Sequence, residues 1–385
     1  MKVSGEWLTA PPPQRALALL GDAGHQALAV GGCVRNALLG MPVADVDIAT
    51  DARPERVMQL AADAGLKAVP TGIDHGTVTL VVSGTGFEIT TFRSDVATDG
   101  RRATVRFSDD VAEDARRRDF TINALYVTAG GTLVDPLDGL TDLRARRLRF
   151  IGSPVNRIRE DYLRILRLFR FHAWYGDLEN GLDADALAAC EAEREGIARL
   201  SAERITTEIR KLLSAPDPVP SLEAMERIGV LTLVLPGAGT SAIGRLVVLE
   251  QNAGIPPAWQ RRLICLGGDA LSRMRFSKVE MRRLKAIGEA LQTPAEVAET
   301  AYLHGREAAL DAALTAAALI GASSVPTTLA DDAARGAAAV FPVTAKDLLG
   351  RMPPGPELGA ELERLRDRWI RSGFRLGREE LLEDR

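Results

Sequence analysis

The spacing of apolar residues changes about 150 residues into this chain of 385 residues. In the first part, short apolar runs alternate with helical patterns and glycine-rich turns, which is typical of a sheet covered by helices. From Asn156 onward, apolar residues recur every three or four positions, and this spacing predicts helices alone. The pattern therefore predicts an α+β fold, with a small mixed sheet near the N-terminus and an all-α remainder.

Within the first part, individual elements can be predicted from local patterns. Helices are expected at 11–24 and at 53–64, where Pro54 occupies the first turn. Strands are expected at 27–30 and 43–48. Residues 76–93 alternate between apolar and polar around the turn at 83–86, which predicts a β-hairpin. The polar stretch 94–110, centred on Asp99, Gly100 and Arg101, predicts a mobile loop followed by a short strand.

Residues 28–48 combine a glycine turn with two closely spaced aspartates. Gly31 and Gly32 follow the first strand, and a short helical pattern separates them from Asp45 and Asp47. Because residues i and i+2 of a strand point to the same face, the two carboxylates are expected to project together. Val46 and Ile48 would then face the core.

This combination predicts a site for a metal ion and a phosphate. Two adjacent carboxylates repel each other unless a cation lies between them, and Mg²⁺ prefers carboxylate and phosphate oxygens. A glycine turn at a helix N-terminus leaves backbone N–H groups free for a phosphate. Arg35 lies one helical turn further, where its charge would favour a triphosphate.

Composition and charge narrow the class of protein. The net charge of −4 and pI of about 5.8 argue against a general nucleic-acid binder, although arginines concentrated in 116–159 predict a local basic cleft. Three isolated cysteines, without a CxxC pair, argue against zinc and disulfides and favour a reducing cytoplasm. There is no apolar run of membrane-spanning length and no secretory signal pattern.

The glycine turn, Arg35 and the Asp45–Val46–Asp47 triplet together resemble the signature of polymerase-β-type nucleotidyltransferases. More narrowly, the chain resembles class II CCA-adding tRNA nucleotidyltransferases and bacterial poly(A) polymerases. Two further segments carry the likeness, RRDFTINA at 117–124 and EDYLRILRLFRF at 160–171. That family usually has Asp after the arginine, whereas this chain has Asn36, which can still accept a hydrogen bond.

The resemblance implies a role for each matching residue. Asp45 and Asp47 would hold two Mg²⁺ ions about 4 Å apart, with Glu88 of the hairpin a candidate third carboxylate. The incoming nucleotide would be bound by a set of residues from the glycine turn and the basic segments: Gly32, Arg35, Arg118, Asp161, Arg164, Arg167 and Arg170. In the helix that begins at Ser201, the RxxxExxK pattern of Arg204, Glu208 and Lys211 would brace the fold through ion pairs.

Within this set, Asp161 and Arg164 are the predicted readers of the base. Cytosine and adenine both present an exocyclic amine beside an unprotonated ring nitrogen. A carboxylate accepts from the amine and a guanidinium donates to the nitrogen, and residues three apart on one helix are neighbours. Arg170 lies about 180° around a straight helix from Asp161, so only the family resemblance assigns it to the site.

The implied function is template-independent addition of CMP and AMP to the 3′ end of tRNA, from CTP and ATP, with release of pyrophosphate and without a covalent enzyme intermediate. The expected domains are a catalytic head at 1–148, a helical neck at 149–215 that recognises the base, and a tRNA-binding body and tail at 216–385. Poly(A) polymerase, a partial CC-adding or A-adding enzyme, and a non-catalytic RNA-binding module remain alternatives. The oligomeric state stays open.

Overall fold

The computed structural model describes residues 1–99, 102–292 and 295–383. The chain divides into two compact units. The first unit comprises Met1–Leu212 and Pro220–Leu233, and the second comprises Leu213–Val219 and Val234–Arg385. The first contains the sheet and the second is helical, so the predicted α+β fold class is confirmed. The predicted domain ends at 148 and 215 stay predictions.

The first unit is built on a mixed sheet. Its strands lie in the order β3-β4-β5-β2-β1-β8-β9, and only β2 and β5 run parallel among the described pairs. A separate two-stranded sheet consists of β6 and β7. The strands are β1 Ala27–Val30, β2 Asp47–Thr50, β3 Lys67–Gly72, β4 Thr77–Val82, β5 Thr85–Thr91, β6 Arg93–Asp99, β7 Arg102–Phe107, β8 Tyr126–Thr128 and β9 Leu133–Val134.

Helices cover this sheet and continue beyond it, and the predicted helices at 11–24 and 53–64 are confirmed. Those of the first unit, including α10 and α11 which meet the unit boundary, are α1 Glu6–Thr9, α2 Pro11–Gly21, α3 Gly32–Leu38, α4 Pro54–Asp63, α5 Val111–Arg116, α6 Gly139–Arg144, α7 Pro154–Glu160, α8 Leu163–Tyr175, α9 Ala184–Glu193, α10 Ala202–Leu213 and α11 Val219–Arg227. Short 3₁₀ turns lie at Ile73–His75, Thr121–Asn123 and Arg194–Arg199.

The helices that follow are α12 Val230–Val234, α13 Ile243–Asn252, α14 Trp259–Leu266, α15 Ala270–Arg273, α16 Lys278–Gln292, α17 Val297–His304, α18 Arg306–Leu319, α19 Leu329–Ala338, α20 Ala345–Leu348, α21 Pro356–Arg371 and α22 Arg378–Glu383. The C-terminal ones pack around Trp369, whose ring contacts Tyr302, Phe341 and Phe374. None of the helices within the described ranges has the length and apolar character needed to cross a membrane.

The strand predicted at 43–48 is wrong in its position, since β2 spans Asp47–Thr50. The reason lies in its neighbour. Strand β1 ends at Val30, which pairs with Asp47, and the chain then turns at Gly31 with φ of 74° into α3. Residues 43–46 therefore have no partner on the β1 side, although β5 on the other side continues back to Thr85. Asp45 lies in the connecting segment before the strand and Asp47 at its first position.

A mobile loop followed by a short strand was predicted at 94–110. The loop is wrong over 94–99, which belongs to strand β6, and the short strand is confirmed as β7. The described part forms the hairpin of β6 and β7, in which Arg93 pairs with Phe107 and Asp99 with Arg102. Apolar and polar residues alternate in parts of this segment, and this pattern favours strands although the overall composition is polar. Gly100 and Arg101 of the predicted loop lie outside the described residues. The hairpin predicted at 76–93 is confirmed, and positive φ angles at Ser83 and Gly84 give it a two-residue turn.

A single helix through Asp161 was predicted, and the structure instead has a break between α7 and α8. Asp161 has an extended backbone, with φ of −157° and ψ of 105°. Its Oδ1 accepts a hydrogen bond from the Leu163 N–H at 3.1 Å, which satisfies a free donor in the first turn of α8. The Tyr162 ring packs against Gly196 so closely that a Cβ there would overlap it. Asp161 and Arg164 are thus not neighbours on one regular helix.

His172 on α8 makes the stability of the fold dependent on pH. Its ring is 2% exposed, Nδ1 lies 2.8 Å from the Ser221 hydroxyl, and burial lowers its pKa below the ordinary value of 6.5. Below that pH the unfolded chain binds a proton that the folded chain does not, so the free energy of unfolding should fall as the pH decreases through about 6.5. Urea unfolding at pH 7.5 and 5.5 measures this. His172→Asn should show a smaller fall; an equal fall would contradict the assignment.

Candidate active site

A cleft of about 450 Å³ in the first unit brings together most of the residues predicted from the sequence. Its lining includes seven of them: Gly32, Arg35, Asp45, Asp47, Arg118, Arg167 and Arg170. Asp161 and Arg164 are not part of this lining. The cleft lies where β1 ends, β2 begins and α3 begins, with α8 contributing Arg167 and Arg170. Glycine at 31 and 32 keeps the turn free of side chains, as the close approach of a phosphate requires.

The two aspartates are open to the cleft. Both side chains are exposed, and no group in the described part of the chain forms a hydrogen bond or ion pair with either carboxylate. The pKa of Asp47 is raised because the surrounding protein displaces water from its inner side, and because Glu88 and Asp45 are also negative. Arg118 opposes this shift. Glu88 is the parallel neighbour of Asp47 in strand β5.

These carboxylates suit a hard divalent cation such as Mg²⁺. They offer oxygen ligands. The pKa of Asp47 is raised first by the loss of water around it and then by the negative charges of Glu88 and Asp45, and a bound cation would counter both effects. The described residues contain no group of three or more His, Cys, Asp or Glu side chains close enough to hold a metal ion. With two protein carboxylates, the other coordination positions are left for water and substrate phosphates, which is the arrangement Mg²⁺ prefers.

Arg118 is held rigidly by a buried acid. Asp114, with 0% exposure, accepts from Arg118 Nη2 at 2.9 Å, and the Tyr126 hydroxyl accepts from Arg118 Nε at 3.0 Å. Burial alone would raise the pKa of Asp114, but Arg118 and Arg117 outweigh it and hold that pKa below its ordinary value. The guanidinium of Arg118 is therefore fixed in place before any ligand arrives.

Arg167 is held in the same way by Asp119. The Asp119 carboxylate accepts from Arg167 Nε at 2.7 Å, and its other oxygen accepts from the Phe120 N–H and the Asn123 amide. Although burial opposes ionisation, Arg167 and these hydrogen bonds lower the pKa of Asp119 to about 2. Asp119 thus ties its turn together through the Phe120 N–H and also orients an arginine.

Arg170 completes a group of three guanidiniums around one ring. Its Nε donates to Glu208 at 2.6 Å, and its charge centre lies 4.3 Å from the centre of the Phe171 ring. Arg35 and Arg167 each lie 5.1 Å from the same ring centre. An aromatic face attracts cations, so Phe171 holds three positive groups together that would otherwise repel one another. Burial and Arg167 lower the pKa of Arg170.

Arg35 differs from these arginines because its partners are neutral. Nη1 donates to Asn123 Oδ1 at 2.5 Å, and Nη2 donates to the Tyr175 hydroxyl at 2.8 Å. Asn36 Oδ1 accepts from both Nε and Nη2. The guanidinium is 3.9 Å from the centre of the Tyr175 ring. Among the described residues no carboxylate pairs with Arg35, and burial lowers its pKa.

The predicted base-reading pair has separate protein partners. Asp161 Oδ2 accepts from Arg204 Nη2 at 2.6 Å. Arg164 Nη1 donates to Glu160 and to the Arg157 carbonyl, and its Nη2 donates to the Arg117 carbonyl at 3.4 Å. The ion pairs expected from Arg204 and Glu208 are thus present. The role of Asp161 and Arg164 in reading a base stays a prediction.

Several cleft residues were not predicted as site residues. Phe171 was given no role and Lys211 was assigned to the bracing element, yet both line the cleft together with Asp119 and Asn123. Two spacings in the sequence could have connected further residues to the predicted arginines. Asp114 precedes Arg118 by four positions, and Phe171 follows Arg167 by four, which are the spacings of neighbours on a helix.

Comparison with known families matches two segments of the chain. Residues 27–149 match the sequence profile described as "Poly A polymerase head domain". Residues 181–240 match the profile described as "Probable RNA and SrmB- binding site of polymerase A". The first match contains the glycine turn, both cleft aspartates and the segment from Arg118 to Asn123.

Comparison with individual proteins matches nearly the whole chain. The mitochondrial CCA tRNA nucleotidyltransferase 1 of Mus musculus is 32% identical over 386 residues, covering 94% of this chain and 87% of that protein. The CCA-adding enzyme of Limosilactobacillus fermentum is 36% identical, covering 80% of this chain and 79% of that protein. The structure of the Bacillus stearothermophilus CCA-adding enzyme in complex with CTP superimposes with a TM-score of 0.77 at 30% identity, covering 94% and 92% of the two chains. The fold alone is shared with the Thermotoga maritima CCA-adding enzyme complexed with tRNA, at a TM-score of 0.68, 18% identity, and coverage of 100% and 97%.

Proposed function

This chain belongs to the family of CCA tRNA nucleotidyltransferases, and we propose that its cleft adds CMP and AMP to the 3′ end of tRNA. CTP and ATP are the substrates, pyrophosphate leaves, and no nucleic-acid template is used. The observation that carries the assignment of the site is that two open carboxylates and a group of fixed guanidiniums line one cleft beside a glycine turn. The carboxylates suit a metal ion, and the guanidiniums suit a triphosphate.

Asp45 and Asp47 would hold Mg²⁺, which when bound lowers the pKa of the attacking RNA hydroxyl and neutralises charge on the phosphates. The arginines of the cleft bind and orient the triphosphate. Because Arg118, Arg167 and Arg170 are already fixed by Asp114, Asp119 and Glu208, little reorganisation is needed when a nucleotide binds. Asp161 and Arg164 orient the base.

Incubation with tRNA lacking its CCA end, labelled CTP or ATP, and Mg²⁺ tests this function. Addition of two C and one A residue supports it. A long A tail would identify a poly(A) polymerase, the alternative that the matched head-domain profile names. Addition of only CC or only A would identify a partial enzyme, and binding without addition would identify an RNA-binding module.

Replacing Arg118 with Ala is expected to raise the KM for CTP and ATP alike by about tenfold, because a charge-assisted contact to the triphosphate is lost. Steady-state kinetics with each nucleotide measures this. Arg117→Ala is the matched control, since Arg117 also pairs with Asp114, at 2.7 Å, but does not line the cleft. An effect on one nucleotide only would show that Arg118 reads the base instead.

For tRNA binding by the body and tail, we propose a surface on and before α16. Residues 273–285 contain one acidic residue, Glu280, among six cations: Arg273, Arg275, Lys278, Arg282, Arg283 and Lys285. Four of these, Arg275, Lys278, Arg282 and Lys285, are exposed and are spaced by three or four residues. Lys278, Arg282 and Lys285 lie on α16, where this spacing forms one cationic stripe, and Arg275 lies just before the helix. Such a surface suits an RNA phosphate backbone although the whole chain is acidic.

Charge reversal at Lys278 and Arg282 together is expected to raise the KM for tRNA about tenfold and to leave the KM for CTP unchanged. Because phosphate contacts release counterions, the salt dependence of tRNA binding should also become less steep by about one logarithmic unit per contact. Lys346→Glu, at an exposed position on α20, is the control. Equal affinities and salt slopes in all three proteins would contradict this surface.

A cytoplasmic location stays part of the proposal, and the cysteines support it. Cys33, Cys190 and Cys265 are buried and unpaired. Burial raises the pKa of the Cys33 thiol to about 11 and those of Cys190 and Cys265 to about 12. Such thiols are stable in a reducing compartment and contribute no disulfide.

A further inference from the structure

We propose that Asn36 is a positioning residue that connects the Arg35 guanidinium to the segment carrying Asp45. This inference rests on the proposed function, in which both residues belong to the active cleft. Asn36 follows Arg35 on α3 and is half-buried. It makes side-chain contacts in two directions, one toward the arginine and one toward the segment 41–46, which leads into strand β2.

The hydrogen-bond partners define the orientation of the Asn36 amide. Arg35 Nε and Nη2 lie 3.2 and 2.9 Å from Asn36 Oδ1, and a guanidinium only donates, so the atom facing it must be the oxygen. The NH₂ group then faces the Pro42 carbonyl, to which Nδ2 donates at 3.0 Å. Both contacts are satisfied by an amide in this orientation and in no other.

The segment that follows Asn36 depends on it for support. The Asn36 carbonyl accepts from the Met41 N–H at 2.8 Å, so main chain and side chain of one residue both bind this segment. Within the described chain, residues 43–46 form no backbone–backbone hydrogen bonds of their own. Asp45 is therefore carried by a stretch whose nearest hydrogen-bonded anchors are Asn36 on one side and strand β2 on the other.

The neutral amide has a property that a carboxylate lacks. An aspartate at position 36 would still accept from Arg35, and it would pair with its charge. It could not donate to the Pro42 carbonyl, and its second oxygen would face that carbonyl at the distance of the present hydrogen bond, which is repulsive. Asn36→Asp therefore separates the two contacts, because it keeps the one to Arg35 and removes the one to the Asp45 segment.

The test compares wild type, Asn36→Asp and Asn36→Ala by two measurements. The first is hydrogen–deuterium exchange of peptides covering 39–46, which needs neither metal nor substrate. The second is kcat and the Mg²⁺ concentration for half-maximal addition of C to tRNA. In both variants we expect exchange in 39–46 to become about three- to tenfold faster. In Asn36→Ala, which loses both contacts, we also expect kcat to fall about tenfold and the Mg²⁺ requirement to rise.

Peptides from β4 and β5 should exchange as in wild type, which separates a local effect from general destabilisation. Asn156→Asp adds the same charge at an exposed position of α7 and serves as the control. If the 39–46 peptides of Asn36→Asp exchange at the wild-type rate, the proposal is overturned even if turnover falls. In that case the slower turnover would come from the new ion pair between the introduced carboxylate and Arg35, and not from a loosened segment. If wild type itself adds no nucleotide to tRNA, the proposed function fails, and the exchange measurement still decides the role of Asn36.

Discussion

Replacing Asp47 with Asn is expected to lower kcat for nucleotide addition by about a thousandfold or more and to leave the fold intact. The amide keeps the size of the side chain but loses the charge that would hold a metal ion. Since the Asp47 carboxylate has no protein partner in the described part of the chain, the substitution breaks no structural contact. Asp45→Asn should behave in the same way. Single-turnover addition of labelled C to tRNA, with thermal unfolding in parallel, measures both effects.

Glu88→Gln is the matched control for this prediction. Glu88 lies beside Asp47 in the parallel pair of β2 and β5 and is exposed, so its replacement removes a nearby charge of the same sign. If two carboxylates are sufficient for the metal site, Glu88→Gln should lose no more than about tenfold in kcat. A loss as large as that of Asp47→Asn would make Glu88 a third ligand. Near-normal activity of Asp47→Asn would contradict the metal site itself.

Replacing Asp161 with Ala is expected to reduce discrimination against UTP and GTP by about tenfold or more. Uracil and guanine would place a carbonyl against the carboxylate and an N–H against the guanidinium, and each unpaired polar group costs about 1–3 kcal/mol. Arg164→Ala should have a similar effect. The ratio of kcat/KM for CTP to that for UTP, and for ATP to that for GTP, measures the discrimination.

The observed contacts leave both residues able to bind a base. Each carboxylate oxygen of Asp161 accepts one hydrogen bond, from Leu163 or Arg204, and has a further lone pair. Arg164 uses three of its five N–H donors for partners among the described residues. Arg204→Ala is the control, because it removes a partner of Asp161 and no base contact. Unchanged selectivity in Asp161→Ala and Arg164→Ala would exclude this pair as the reader of the base.

The fold class and the glycine turn with its two aspartates could be predicted because their signals are local, whereas Arg118, Arg167 and Arg170 were assigned through the family resemblance. The glycine turn, the Asp45–Asp47 spacing and the hairpin at 76–93 each lie within a few residues of the chain, and helical periodicity is strong after Asn156. The residue at which a strand stops pairing with its neighbour could not be predicted in the same way. Strand β2 begins at Asp47, opposite the last residue of its antiparallel partner β1, and this end of β1 cannot be read from residues 43–48.

The break at Asp161 shows a second limit. Its two causes are a side-chain hydrogen bond to Leu163 and the packing of Tyr162 against Gly196, and the latter joins positions 34 residues apart in the chain. Apolar periodicity continues across the break, so periodicity alone predicts one helix. Local patterns also could not predict ion pairs between residues that are distant in the sequence. Arg167 with Asp119 and Arg170 with Glu208 are examples in the cleft.

The burial of all three cysteines has a practical consequence for spectroscopy. At neutral pH, thiols with pKa values of about 11 and 12 are almost entirely protonated, and maleimide reagents react with the thiolate. The natural chain therefore serves as a background for site-specific labelling without prior removal of its cysteines. New surface cysteines at Asn156 in the first unit and Lys346 in the second would accept a donor and an acceptor dye. The distance between the two units could then be followed in solution during successive additions of C, C and A.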